Sequence, residues 1–386
     1  MILAIPREIL EHEGRVAAIP ETVRQYVQMG FTVRVQASAG EESLHSDAEY
    51  VEAGAEIVSD PVRLFAEADV VLKVKQPWMN QTVGKHEAEM IREGAILITF
   101  LHPATHENHE TIRTLAARRV TALTMDGVPR ISRAQTMDAL TSMSTITGYK
   151  AVLMAANRFP KFMSLLGTAI GTIRAAKCLV VGTGVVGLQA IATAKRLGAS
   201  VKAFDIREDA RKAADSIGAK VAGFEIPAEL AVAPNGHTLA LPDDWLEKER
   251  AVLAPLVAEA DIVILSALVP GEVAPVLLTE EMVAQMKPGS VIMDVSIDQE
   301  GNCALTRPGE EYKYRGIAIL GLWNIPGSMP VHASWLYAHN LLQYVKNLFK
   351  NGIDAPDLKD DIVQETLVTC DGKIVHTGAL KAMGHS

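Results

Sequence analysis

KCLVVGTGVVGLQAIATAKRLG, Lys177 to Gly198, is the stretch on which the fold turns. An apolar run, CLVV, breaks at Gly182 and gives way to a helical pattern through glycines spaced G-x-G-x-x-G: Gly182, Gly184 and Gly187. Alone that spacing is weak; strand before and helix after is the context that gives it meaning. Gly182 permits a tight turn, Gly184 lets backbone approach a pyrophosphate, and Gly187 lets helix and strand pack closely. The helix beginning at Val185 and Val186 offers unpaired N–H groups and a partial positive charge to phosphates. The next apolar run, SVKAFD, ends at Asp205, where a carboxylate can accept both ribose hydroxyls and repel a 2′-phosphate. NAD is therefore the expected cofactor, with Ile206 and Leu268 lining it, and Arg207 two residues on softening the preference over NADP.

Beyond Asp205, DIVILSAL (261–268), SVIMDVSI (290–297) and IAILGL (317–322) continue this strand series. An earlier series, ILAIP (2–6), FTVRVQ (31–36), DVVLKVKQ (69–76), AILITFL (95–101) and VTALTMD (120–126), reads as buried parallel strands. Repeated strand–helix units predict an α/β chain of two doubly wound, Rossmann-like parallel-sheet domains with a cleft between them. The expected division is residues 1–140 plus 325–386 for one domain and 141–324 for the nucleotide-binding one. ETVRQYVQMG reads as a helix ending at Gly30, and ASWLYAHNLLQYVKNLFKNG as a long one ending at Asn351-Gly352. EIPAELAVAPNGHTLAL (225–241) has no clean period and reads as a long surface loop.

Composition excludes several classes. With 386 residues, 48% hydrophobic and 22% charged, the chain can build two cores. A net charge of -9 argues against nucleic-acid binding. No apolar run reaches the length of a membrane helix, and MILAIPREILEHEGR lacks the form of a signal peptide. Cys178, Cys303 and Cys370 lie far apart without metal-like spacing, so no metal is expected and a reduced, cytoplasmic compartment fits.

One stretch is too polar for its setting. PRISRAQTMD, Pro129 to Asp138, lies between hydrophobic segments and carries Arg130, Arg133, Gln135 and Asp138. A carboxamide offers one acceptor and two donors, so Gln or Asp with Arg can fix the rotation of a nicotinamide ring. The bland alternative is a connector whose polar residues cap helices. Together, PRISRAQTMDALTSMSTITGYKAVLMAA and GTAIGTIRAAKCLVVGTGVVGLQAIATAKRLGA resemble the NAD(H)-binding subunit of proton-translocating nicotinamide nucleotide transhydrogenase. The resemblance runs from PRE near the N-terminus to DGKIVHTGAL near the C-terminus. It implies nicotinamide contacts from Arg130, Gln135 and Asp138, with Ile131, Ser132, Arg133 and Thr141 beside them; Thr141 stands where the family usually has serine. Gln135 and Asp138 would then also serve hydride transfer.

The chain departs from that family at positions that resemble its relative, alanine dehydrogenase. EGRVAAIP holds Arg15, LKVKQP Lys75, TFLHPA His102 and SIDQEGN Asp298. In alanine dehydrogenases the equivalent residues hold a 2-oxo acid and assist its chemistry. Arg15 and Lys75 could bind a carboxylate and polarise a carbonyl, His102 could move the proton, and Asp298 could orient an ammonium or water. Singly, each also reads as a surface charge, a structural histidine or a turn residue. The transhydrogenase family's mobile loop, a GGYA-x-x-M pattern, corresponds here to NGHTLALP, with Gly236 retained and His237 where tyrosine is expected. Two functions follow. The first is a transhydrogenase subunit that needs membrane and NADP-binding partner subunits, reaches the inner membrane only through them, and forms a homodimer. The second is a free-standing NAD-dependent amino-acid dehydrogenase.

Overall fold

The computed structural model describes residues 1–223, 225–232, 238–269 and 273–384. The chain divides into two compact units, 1–143 with 326–386, and 144–325. All ten apolar runs form strands. In the second unit a seven-stranded sheet runs Lys220–Ala222, Ser200–Phe204, Lys177–Val181, Ile262–Leu265, Val291–Asp294, Ile317–Leu320 and Glu311–Tyr314. All neighbours pair in parallel except the last, an antiparallel edge of alternating exposure. Counting the parallel strands along the chain gives 3-2-1-4-5-6, the doubly wound order, with its switch point between Lys177–Val181 and Ile262–Leu265. Alternating side chains feed two cores. Cys178, Val180, Ile262 and Ile264 enter one, while Leu179, Val181, Val263 and Leu265 enter the other.

The first unit repeats the order in an eight-stranded sheet. Glu56–Val58, Thr32–Gln36, Ile2–Ile5, Val70–Leu72, Ile96–Thr99 and Thr121–Thr124 lie in parallel. Leu367–Cys370 and Lys373–Ile374 extend it antiparallel, and these two strands were not anticipated from the sequence. The helix Pro20–Gln28 closes before Gly30, whose φ is +99°. The long C-terminal helix spans Pro330–Leu348, stopping short of Asn351-Gly352. The expected loop 225–241 contains a short helix, Ala228–Ala231, and an antiparallel bridge between Val232 and Thr238. An unanticipated hairpin, Leu166–Thr168 with Gly171–Ile173, forms a separate two-stranded sheet.

At the switch point of the first sheet, between Ile2–Ile5 and Val70–Leu72, the chain buries charge. Lys73 is fully buried, its Nζ 3.2 Å from carboxylate oxygens of both Glu8 and Glu87. Backbone N–H groups complete the arrangement: Val74 donates to Glu8 at 2.6 Å and Trp78 to Glu87 at 3.0 Å. Burial alone would pull the ammonium down, but Glu8 and Glu87 hold it above its ordinary value; burial pushes Glu8 up. Replacing Lys73 leaves two buried carboxylates facing each other. Lys73→Ala should therefore cost about 3–5 kcal/mol near neutral pH. A carboxyl that is raised in the folded state loses its contribution as pH rises, so the deficit should be smaller at pH 5 than at pH 8. Urea unfolding at both pH values measures it, and a deficit independent of pH would contradict this account.

Candidate functional site

Beyond the carboxyl end of Lys177–Val181 the glycines do three separate jobs. Gly182 has φ +84°, and a Cβ there would lie 2.8 Å from the Ala267 nitrogen and the Ser266 carbonyl. A Cβ on Gly187 would stand 1.9 Å from the Gly182 carbonyl oxygen, so the helix Val185–Arg196 sits on the strand end only because that atom is missing. A Cβ on Gly184 would meet nothing within 4 Å. That open space lies at a helix N-terminus whose Ncap, Gly184, offers no side-chain cap, so the first amides stay available. Gly148, which sequence reading passed over, plays a similar role, since its Cβ would meet the Val186 carbonyl oxygen at 2.3 Å. An isolated glycine inside the helical pattern TITGYKA was the available signal.

Asp205 follows the next strand and is buried. Its Oδ2 accepts from the Thr183 N–H at 2.7 Å and the Thr183 hydroxyl at 3.1 Å. Its Oδ1 accepts from the Arg207 N–H at 2.9 Å and Nε at 3.2 Å, and Arg207 Nη2 reaches Oδ2 at 3.3 Å. A carboxylate has about four acceptor sites, so a ribose hydroxyl arriving here would displace the longer Arg207 contacts. Ile206, between the two, packs against the core. Across the switch point Leu268 is 43% exposed, and its neighbour Ala267 is clamped by Asn302. Asn302 Oδ1 accepts from the Ala267 N–H at 3.0 Å, and its Nδ2 donates to the Ala267 carbonyl at 2.9 Å. Asp298 is exposed on the turn Ile297–Gln299, after a strand that ends at Asp294. Fully buried Asp294 shapes that turn, accepting from the N–H groups of Ser296, Asn302 and Cys303 and from the Thr306 hydroxyl. Gly236 lies outside the described residues.

In the first unit PRISRAQTMD forms a 3-10 helix, Ser132–Met137, that buries Ala134 and Met137. Its polar residues divide into two groups. Arg133 pairs with Asp360 at 2.8 Å and with Asp361, and donates to Asn347 at 3.1 Å. Asp138 accepts from the Thr141 N–H at 2.8 Å and hydroxyl at 2.7 Å, capping the helix Ala139–Arg158. By contrast Arg130, Ile131, Ser132 and Gln135 are exposed, and no described residue holds the side chain of Arg130 or Gln135.

Arg15, Lys75 and His102 all belong to this unit, past the carboxyl ends of its strands; Asp298 belongs to the other. Arg15 is buried in a two-pronged pair with Glu13, its Nε donating to Oε1 at 2.7 Å and its Nη2 to Oε2. Burial would raise the Glu13 carboxyl, but Arg15 and then Lys75 hold it below its ordinary value. Lys75 is half-buried, and its carbonyl accepts from the Thr99 hydroxyl at 2.8 Å. His102 adopts φ +45°, a conformation costly for a non-glycine residue. Asp126 holds it there: His102 Nδ1 lies 2.8 Å from Oδ1, and the His102 N–H donates to Oδ2 at 2.8 Å. Burial would raise the Asp126 carboxyl, yet the imidazole and the Thr124 hydroxyl hold it well below the usual range. Phe100 stacks on the His102 ring at 5.9 Å and meets the buried Tyr337 ring at 5.3 Å. Sequence reading missed Glu13, Asp126 and Tyr337, whose meaning comes only from these partners.

The chain matches the family models "Alanine dehydrogenase/PNT, N-terminal domain" over residues 4–147 and "Alanine dehydrogenase/PNT, C-terminal domain" over 151–377. It is 40% identical over 379 residues to an NAD(P) transhydrogenase subunit alpha chain of Rhodospirillum rubrum, covering 97% of this chain and 98% of that one. Alanine dehydrogenase of Bacillus subtilis is 31% identical over 393 residues, covering 100% and 95%. Among solved structures, the transhydrogenase from Sinorhizobium meliloti superposes with a TM-score of 0.84 at 37% identity, covering 97% of this chain and 100% of that one. An L-alanine dehydrogenase gives 0.83 at 28% identity, covering 100% and 99%. The chain belongs to the alanine dehydrogenase/transhydrogenase family, whose members bind nicotinamide dinucleotides, and stands nearer the transhydrogenase alpha subunits than the alanine dehydrogenases.

The three glycines predict separable defects. Gly187→Ala should destabilise the protein by about 1–3 kcal/mol in urea unfolding, because the helix must shift. Gly184→Ala should change stability by no more than about 0.5 kcal/mol. It should nevertheless weaken dinucleotide binding by calorimetry, and unchanged affinity would remove the open space from the binding site.

Proposed function

We propose that this member of the family is the NAD(H)-binding subunit of an NAD(P) transhydrogenase, passing hydride between NADH and NADP held by a partner subunit. The observation that carries the reading is the open space above Gly184, at a helix N-terminus, one strand from the Asp205 carboxylate. Those groups fit a dinucleotide: amides for a pyrophosphate, a carboxylate for ribose hydroxyls, and Leu268 as an apolar wall. Bound NADH supplies the hydride. Arg130 and Gln135, with side chains no described residue holds, fix the carboxamide and so choose which ring face is presented. Asp138 and Thr141 are locked to each other and steady that end of the stretch. Asp205 selects NAD over NADP by repelling a 2′-phosphate. Residues 1–140 with 325–386 form the domain of alanine dehydrogenase/transhydrogenase type, and 141–324 the nucleotide-binding one.

Among the described residues no helix is long and apolar enough to cross a membrane. In this reading, membrane contact and NADP binding fall to partner subunits, with this chain at the cytoplasmic side of the inner membrane. Self-association has its own surface: Phe162, Leu165, Ile170 and Ile173, on and beside the hairpin, are 55%, 65%, 99% and 41% exposed. A homodimer would cover them. Ile170→Asp should then shift the protein towards monomer in sedimentation equilibrium; an unchanged mass would place any dimer contact elsewhere.

One observation favours a second reading, a free-standing amino-acid dehydrogenase. His102 is fixed by Asp126 in a strained backbone, and strain of this kind gathers at functional sites. With Nδ1 engaged, Nε2 is the nitrogen left to move a proton, while Lys75 and Arg15 polarise and hold a 2-oxo acid. Stopped-flow oxidation of NADH decides between the two. On the first reading, turnover requires an NADP-binding partner, Lys75→Ala and His102→Ala cost little, and Gln135→Ala slows transfer more than it weakens NADH binding. Rapid turnover with pyruvate or glyoxylate plus ammonia, without a partner and abolished by either substitution, would overturn it.

A further inference from the structure

The helix Asp243–Glu259 buries Glu249, Leu253 and Val257, four residues apart and therefore one above another on a single face. Leu253 and Val257 are fully buried and join Phe204, Val181 and Leu265 in the core. Glu249 is 5% exposed and continues this stripe by one turn towards the helix N-terminus. The helix leads into the amino end of Ile262–Leu265, so its N-terminal turns lie level with the carboxyl ends of the strands. Asp205 follows Phe204 at that level. A core position that carries a carboxyl is unusual, and no described residue gives this one a hydrogen bond.

We propose that Glu249 is a specificity-determining residue for the ribose end of the nucleotide site, its proton setting the charge that a 2′-phosphate meets. The proposal rests on the reading of Asp205 as the ribose ligand. Burial first and the Asp205 charge second push the Glu249 carboxyl up to about 7. The cation that opposes them, Arg250, has its guanidinium turned to the Val276 carbonyl at 2.6 and 2.8 Å. Among the described residues, the charged groups hydrogen-bonded to Asp205 are Arg207, on its carboxylate, and Arg211, whose Nη1 donates to the Asp205 carbonyl at 2.9 Å. Asp205 has donors from Thr183 and Arg207, while no described residue donates to Glu249.

These charges fix the direction of the effect. Below about pH 7 Glu249 is neutral and the Asp205–Arg207 pair is balanced. Above it the cluster gains a negative charge, which a 2′-phosphate opposes and a 2′-hydroxyl does not. NADPH binding therefore retains the proton on Glu249, and discrimination in favour of NADH strengthens as pH rises.

Calorimetric titration of the full chain with NADH and with NADPH at pH 6 and pH 8 tests this. The ratio of the NADPH Kd to the NADH Kd should rise about tenfold in the unmodified protein. Glu249→Gln, with the carboxyl's shape and no charge, should hold the ratio near its value at pH 6, and Glu249→Met should do the same. The 2′-phosphate has its own ionisation near pH 6, but that contribution is common to all three proteins. A second readout needs no nucleotide. A carboxyl raised in the folded state loses its contribution as pH rises, so the Tm of the unmodified protein should fall relative to Glu249→Gln between pH 5 and pH 8. NADH binding with the same pH slope of the ratio in all three proteins would overturn the role of Glu249 and leave the Asp205 assignment standing. Failure of the unmodified protein to bind NADH would overturn both.

Discussion

A missing Cβ organises the nucleotide-binding unit. With a side chain on Gly187, the nearest atom of the Gly182 carbonyl would be 1.9 Å away, and the helix Val185–Arg196 could not seat on the strand end. Its seating places the first amides at the switch point. It also brings the Thr183 N–H onto Asp205, and the Ser266 hydroxyl donates to the Gly182 carbonyl at 2.9 Å. Gly148 extends the same constraint to a second helix, which could not approach Val186 if it carried a methyl there. Strand, turn, helix and acid are thus one object, and the open space above Gly184 is its remainder.

Both units put their polar chemistry at the carboxyl ends of parallel strands, for one reason. Strands buried on both faces leave no room for charge along their length, so charge collects where the chain leaves the sheet. In the first unit Glu8, Glu13, Arg15, Lys73 and Glu87 are all buried there, each against an opposite charge. Pairing makes such burial tolerable; it does not make it a source of stability. These contacts hold Arg15 and Glu13 in one geometry.

The parts of this structure that were legible in the sequence are local. Ten strands were readable because each is a short apolar run bounded by turn residues, and the glycine spacing because its context lies within 22 residues of chain. What escaped depends on distant partners. LVTC, 367–370, has no pattern of its own and becomes a strand by pairing with Thr121–Thr124. Arg133 stood out beside Arg130 and Gln135, yet its partner Asp360 is 227 positions away and no spacing rule reaches it. Asp126 and Asp294 lay inside runs read as strands, and nothing in those runs or around Asn302 marked the three residues out; only the contacts they make give them weight.

The first unit is interrupted: residues 144–325 form a compact unit of their own between its two segments, and the later segment supplies strands to its sheet. Ala122 waits for a hydrogen-bond partner 247 positions later, the Thr369 hydroxyl. At a ribosomal rate of about 5–20 residues per second, that delay is roughly 12–50 s. For that interval the strand Thr121–Thr124 has a bare edge, the kind of surface on which nascent chains pair wrongly. The inserted unit, with all its strands already made, has no such wait. Its sequence continuity lets its sheet form without residues from the other unit, whereas the host unit's sheet needs chain that is synthesised after the insert.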